Sequence, residues 1–182
     1  MHFKFHIKLN DNDYLNYNTF WTIKSPYGRK QMLSFRITIA ILFAVISFLS
    51  LFGGGFSAYA WIGIIPCVIL LVLFELLLNP LFCWILKSNI KSLKAKGKMG
   101  YSPVSEIEFY DECFVEITPD NKTEQKYSAV ERVSVLSDKV IYLHVNNVMS
   151  YILPSSCFES KEQYRDFLNF VRSKCANIDV YG

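Results

Sequence analysis

The chain has 182 residues, of which 52% are hydrophobic and 16% aromatic, with a formal net charge of +3. This length fits one globular domain, and so small a positive charge argues against a dedicated nucleic-acid binder. Between residues 37 and 86 there is no Lys or Arg, and Glu75 is the one ionisable carboxylate.

From the N-terminus, residues 2–9 alternate strictly: Phe3, Phe5, Ile7 and Leu9 on one side, His2, Lys4, His6 and Lys8 on the other. That is the pattern of a half-buried strand, which needs a sheet elsewhere to pair with. Residues 13–23 read as a short helix capped by Asp11 or Asp13, with Tyr14, Leu15, Phe20 and Trp21 available for packing.

Two apolar runs follow. Residues 37–52 fall slightly short of the ~20 residues a bilayer requires, but the run extends backwards through Met32, Leu33 and Phe35 with Arg36 snorkelling to the interface. Residues 59–78 are long enough outright. Gly53-Gly54-Gly55-Phe56-Ser57 forms the turn between them, and Tyr59 and Trp61 stand where an interfacial aromatic belt belongs. The long polar stretch ahead of the first run does not fit a cleaved signal peptide. A soluble helical hairpin this apolar would need a larger core than the chain supplies. Lys24, Arg29, Lys30 and Arg36 precede the first run, while Lys87, Lys91, Lys94, Lys96 and Lys98 follow the second. The turn has no charge, so the positive-inside rule puts both termini in the cytosol and these lysines at the membrane surface. An ionisable residue inside a span is a functional candidate by default, which singles out Glu75. Asn79-Pro80 just beyond it is expected to kink the helix or to end its embedded part.

From Val104 onward the text is strand and turn. Ile107 and Phe109 alternate with Glu106 and Glu108, Asp111-Glu112 turns the chain, and 113–118 form a strand. Pro119-Asp120-Asn121-Lys122 is a second turn, and 123–127 and 130–135 are short strands. After Ser137-Asp138-Lys139, residues 140–145 and 148–153 are joined by Asn146-Asn147, a two-residue hairpin signal. Ser160, three residues before Gln163, opens a capping box, and Tyr164, Phe167, Leu168, Val171 and Cys175 fall on one face of the helix that follows. The organisation expected is 1–31 as a strand and short helix joining the cytosolic domain, 32–86 as a transmembrane hairpin, 87–103 as a basic juxtamembrane linker and 104–182 as a β domain. The fold class is an α+β membrane protein: a transmembrane helical hairpin plus a small antiparallel β-barrel or sandwich with a C-terminal amphipathic helix.

This layout resembles the YcxB-like family of small bacterial membrane proteins. The resemblance is carried by Asn12-Asp13-Tyr14, by Val140, Ile141, Tyr142, Leu143 and His144, and by Tyr151-Ile152-Leu153-Pro154, with Phe158 and the Ser160-led helix after them. It implies a pleckstrin-homology-like (PH-like) cytosolic domain and a bacterial plasma-membrane location, and it brings no catalytic residues with it.

No catalytic set stands out. His2 and His6 lie on the polar face of the first strand, and His144 lies in a hairpin strand beside Asn146. There is no Gly-x-Ser-x-Gly elbow, P-loop or His-Glu-x-x-His. Cys67, Cys83, Cys113, Cys157 and Cys175 form no C-x-x-C pair, so neither a metal nor another cofactor is expected, and the odd set fits reduced thiols. Asp111-Glu112 at an early hairpin turn would repel phosphoinositides. The Asn121-Lys122-Thr123 sequon has no consequence in the cytosol.

The expected function is a non-enzymatic, membrane-anchored interaction module. Its partners are the lipid bilayer and either an unknown protein or a second copy, and toxin immunity is one concrete form of that role. The alternative class is transport or channel formation by an oligomer of hairpins with Glu75 lining the path.

Overall fold

The computed structural model describes residues 1–53, 60–97, 101–137, 139–146 and 149–181, the side chains of 50–53 and 60–63 excepted. The expected glycine turn beyond Gly53, the belt residues Tyr59 and Trp61, Lys98, Asp138 and Asn147 of the hairpin signal therefore lie outside the described residues or side chains. Two compact units emerge: Met1–Tyr14 with Met99–Gly182, and Leu15–Lys98. The first boundary thus falls seventeen residues ahead of the one read at residue 31, because the segment after Tyr14 packs with the long helices.

In the first unit, β1 (Phe3–Lys8) pairs antiparallel with β2 (Val104–Phe109), with Phe5 opposite Ile107 and Phe3 opposite Phe109. The expected long-range pairing of the N-terminal strand is met. β3 (Cys113–Ile117) and β4 (Lys122–Lys126) complete a sheet in the order β1-β2-β3-β4. The second sheet, in the order β7-β6-β5-β8, holds β5 (Arg132–Leu136), β6 (Val140–His144), β7 (Ser150–Pro154) and β8 (Ile178–Tyr181). Two expectations need correction. The sheets stay open, each with two edges, so there is no closed barrel; and β8, absent from the sequence reading, runs parallel to β5. A parallel neighbour requires a crossover, which helix α4 (Lys161–Lys174), lying between β7 and β8 in the chain, provides.

Apolar alternation builds the core. Phe5, Ile7, Ile107, Phe109 and Phe114 from the first sheet meet Val133, Ile141, Leu143 and Leu153 from the second. Phe167 of α4 closes on them, with ring centroids 5.0 Å from Phe5 and 4.8 Å from Phe109, both edge-on, the favoured aromatic geometry. Helix α4 is aimed by its cap. The Ser160 hydroxyl accepts from the Gln163 amide at 3.1 Å, and the Gln163 side chain accepts from the Glu159 amide at 2.7 Å, one residue before the cap position of an ideal capping box.

Helix α1 (Asp11–Thr19) is capped one residue earlier than expected. Asn10 Oδ1 accepts from the amides of Asn12 (2.8 Å) and Asp13 (3.1 Å), while Asp13 reaches back to the Asn10 amide at 3.0 Å. Asp13 is therefore the returning arm of the cap, and Asn10 is the cap itself.

The second unit is helical. After α1 comes a π turn, Phe20–Lys24, closed by the Ser25 amide donating to the Phe20 carbonyl at 2.9 Å. Ser25 then caps α2 (Pro26–Gly53), its hydroxyl accepting from the Gly28 amide at 3.0 Å, with Pro26 in the first helical position where its missing N–H costs nothing. A Cβ on Gly28 would stand 2.1 Å from the Trp21 carbonyl oxygen, so this close approach admits no side chain. Helix α3 runs from Ala60 to Ala95. It passes through Pro66 and Pro80 without ending, and the first part of the expected 87–103 linker is helix. Gly97, at φ +63°, follows in the left-handed conformation, its amide donating to the Lys94 carbonyl at 3.0 Å.

At 28 and 36 residues, α2 and α3 are long enough to exceed the ~30 Å of a bilayer's hydrocarbon. Within Pro26–Leu49 and Ile64–Ala95, 18-residue windows have mean hydropathies of 2.3 and 2.4, with only 6% of each window buried within the chain.

Candidate functional site

Glu75 lies on α3 and does not stand alone. Its Oε2 is 3.5 Å from Nε of Arg36 on α2, and the Arg36 Nη2 donates to Asn79 Oδ1 at 3.3 Å. Glu75 and Asn79 are one helical turn apart and so share a face, and Arg36 spans both. Arg36, which the sequence reading sent to the interface, turns towards the opposite helix. Arg36 thus gives the Glu75 carboxylate a cationic partner on the neighbouring helix. Phe35 flanks the cluster, its ring 6.1 Å from that of Phe74 and 6.2 Å from that of Phe82. Beside it opens a pocket of roughly 300 Å³ lined by Ile23, Arg29, Met32, Leu33, Arg36 and Asn79. Sequence reasoning found Glu75 but missed its partners. The available signal was a solitary cation at the edge of one apolar run and a carboxylate with an amide four residues on in the other.

Lys87, Lys91 and Lys94 recur at the spacing of one α3 face, Lys96 follows the helix end, and all four are exposed.

The histidines separate into two kinds. Just ahead of β1, an edge strand, His2 Nε2 lies 2.8 Å from Asp111 Oδ1, and on β1 His6 Nδ1 lies 3.0 Å from Glu106 Oε2, both histidines exposed. Lys4 sits between Glu106 and Glu108, and the hydrogen bonds it donates to these carboxylates hold its pKa above the usual lysine value. A hydrogen bond from Tyr110 at 2.6 Å, then Lys4, hold Glu108 below the usual carboxylate range. These pairs zip one face of the sheet.

His144, in contrast, is 2% exposed, which the sequence reading did not foresee. Its Nδ1 is 2.8 Å from Ser150 Oγ and its Nε2 is 3.0 Å from Ser134 Oγ, so both ring nitrogens are engaged by neutral hydroxyls on the neighbouring strands. Burial first, and then Arg132, push its pKa down to about 4, so the imidazole is neutral at physiological pH. That is a satisfied core polar group. The thiols of Cys157 and Cys175 are raised by burial to about 12 and about 11, which leaves them protonated and unreactive at neutral pH.

Residues 109–171, from the end of β2 into α4, match the family model described as YcxB-like protein. The two long apolar helices fit the two-span arrangement that the resemblance implied. No curated protein matches the chain, and no solved structure does.

Proposed function

With the YcxB-like match as premise, we propose that the chain is a membrane-anchored, non-enzymatic interaction module, its PH-like β unit presented to the cytosol by a two-span hairpin. The observation that carries this reading is the contrast between spans that bury almost nothing within the chain and β sheets that remain open at their edges. The bilayer covers the first, and a protein strand completes the second.

Among the edges, β8 suits strand addition best. Asn177 and Tyr181 carbonyls accept from the Val133 and Ser137 amides, both at the β5 side. The alternation of a parallel strand then turns the amide of Val180 outward, where its side chain is 65% exposed. β4, with Lys122 and Lys126 exposed along it, is an edge blunted against such pairing.

The experiment is in-cell crosslinking of the tagged full-length protein with mass spectrometry of the captured chains. A dominant partner, or a second copy, linked through the β unit and lost in Val180→Pro supports the reading. Capture that is indifferent to Val180→Pro and confined to the helices contradicts it. Toxin immunity is one form the role takes if that partner is a toxin. The transport alternative loses ground because Glu75 is engaged by Arg36 across the hairpin. Glu75→Gln should leave partner capture intact, whereas a flux carried by Glu75 would collapse.

A further inference from the structure

The pocket beside Arg36 has a composition that packing α2 on α3 does not require. Its roughly 300 Å³ is at the low end of the ~300–1,000 Å³ of small-ligand sites, room for a headgroup and too little for a whole lipid. Arg29 and Arg36 lie two helical turns apart on α2 and both line it. Arg36 is already oriented by Glu75 and Asn79, so little entropy is lost when it donates a further hydrogen bond. Arg29 is exposed and enters no ion pair among the described residues. Two guanidiniums against one carboxylate leave the cluster net positive. The remaining walls, Ile23, Met32 and Leu33, are apolar, and Leu33, four residues before the apolar run begins, is 58% exposed.

A ligand matched to these walls is anionic at one end and apolar at the other. We propose that this pocket holds the headgroup phosphate of an anionic phospholipid, with Arg29 and Arg36 donating to its oxygens and an acyl chain lying along Leu33. Guanidinium forks suit phosphate oxygens, and basic recesses between spans on the positive-inside face are where such headgroups are found. The proposal rests on the membrane reading, and it gives the basic flank a specific seat beyond general surface attraction.

The test uses the delipidated full-length protein in a neutral detergent, titrated with phosphatidylglycerol or phosphatidylcholine and read by native mass spectrometry. Phosphatidylglycerol should bind about tenfold more tightly, and Arg29→Gln should remove about that factor, the worth of one charge-assisted hydrogen bond. Lys91→Gln, the same charge change outside the pocket, should leave the preference in place, and so should an excess of glycerol 3-phosphate. Equal binding of the two lipids overturns the proposal, as does a Lys91→Gln loss matching that of Arg29→Gln, or full displacement by glycerol 3-phosphate. Helical circular dichroism of each variant separates lost binding from lost fold, and Arg36→Lys, which keeps the charge, should retain the preference in part. Alkaline extraction of wild-type membranes separates the two readings. Release of the protein defeats both, whereas retention with no lipid preference defeats this one alone.

Discussion

In the β unit Phe109, Phe114 and Phe167 are 0% exposed, whereas in the hairpin Leu49, Leu76 and Trp84 are 62%, 70% and 67% exposed. Both units are rich in large apolar side chains, yet one hides them from solvent and the other displays them. The β unit follows the rule for a chain folding in water, in which alternation and one amphipathic helix bring apolar faces together. The hairpin has no polar face to display, so its apolar surface calls for an apolar solvent. The lesson is that the burial pattern, more than composition, tells which solvent each unit is built for.

The largest effect should come from the β core. Phe167→Ala removes a ring in contact with four other phenylalanines and should cost about 3–5 kcal/mol, read as a lower denaturant midpoint for exchange of the β5–β7 amides. Leu76→Ala in the hairpin should move that midpoint hardly at all. Comparable losses for both substitutions would break the contrast.

Next comes pH. The His144 pKa is about 4 in the folded state against an ordinary 6.5, so the unfolded chain binds the extra proton between those values. The stabilisation is whole above pH 6.5 and is lost as pH falls towards 4, in total roughly 3 kcal/mol. Glu116, raised by burial, acts with the opposite sign, so wild type must be compared with His144→Gln. The variant should flatten the slope between pH 6.5 and 4, and an unchanged slope would contradict this account of the buried imidazole.

The smallest effect is at the cap of α4. Ser160→Ala removes the acceptor of the Gln163 amide and should cost about 1 kcal/mol, seen as faster exchange in the first turn of α4 and little change elsewhere.

Much of this was legible in the residues because the signals are periodic. The alternation of Phe3, Phe5 and Ile7, the Ser160 cap and the face of Tyr164, Phe167, Leu168 and Val171 all appear in the structure where the pattern put them. What escaped were features set by tertiary neighbours. β8 is four residues long and alternates too briefly to register, so its pairing with β5 decides its state. His144 reads as polar and became core because Ser150 opposite it and Ser134 on the other neighbouring strand satisfy both ring nitrogens. At the candidate site Glu75 was visible by its isolation, but its pairing with Arg36 depends on the relative register of two helices, which no local spacing encodes.

The central claim is that α2 and α3 cross a bilayer. Alkaline carbonate extraction of membranes from cells expressing the full-length chain tests it most directly. The account predicts that the protein stays in the membrane pellet and leaves it only on addition of detergent. Recovery in the carbonate supernatant would contradict it, and the exposed apolar helices would then need a protein surface to cover them.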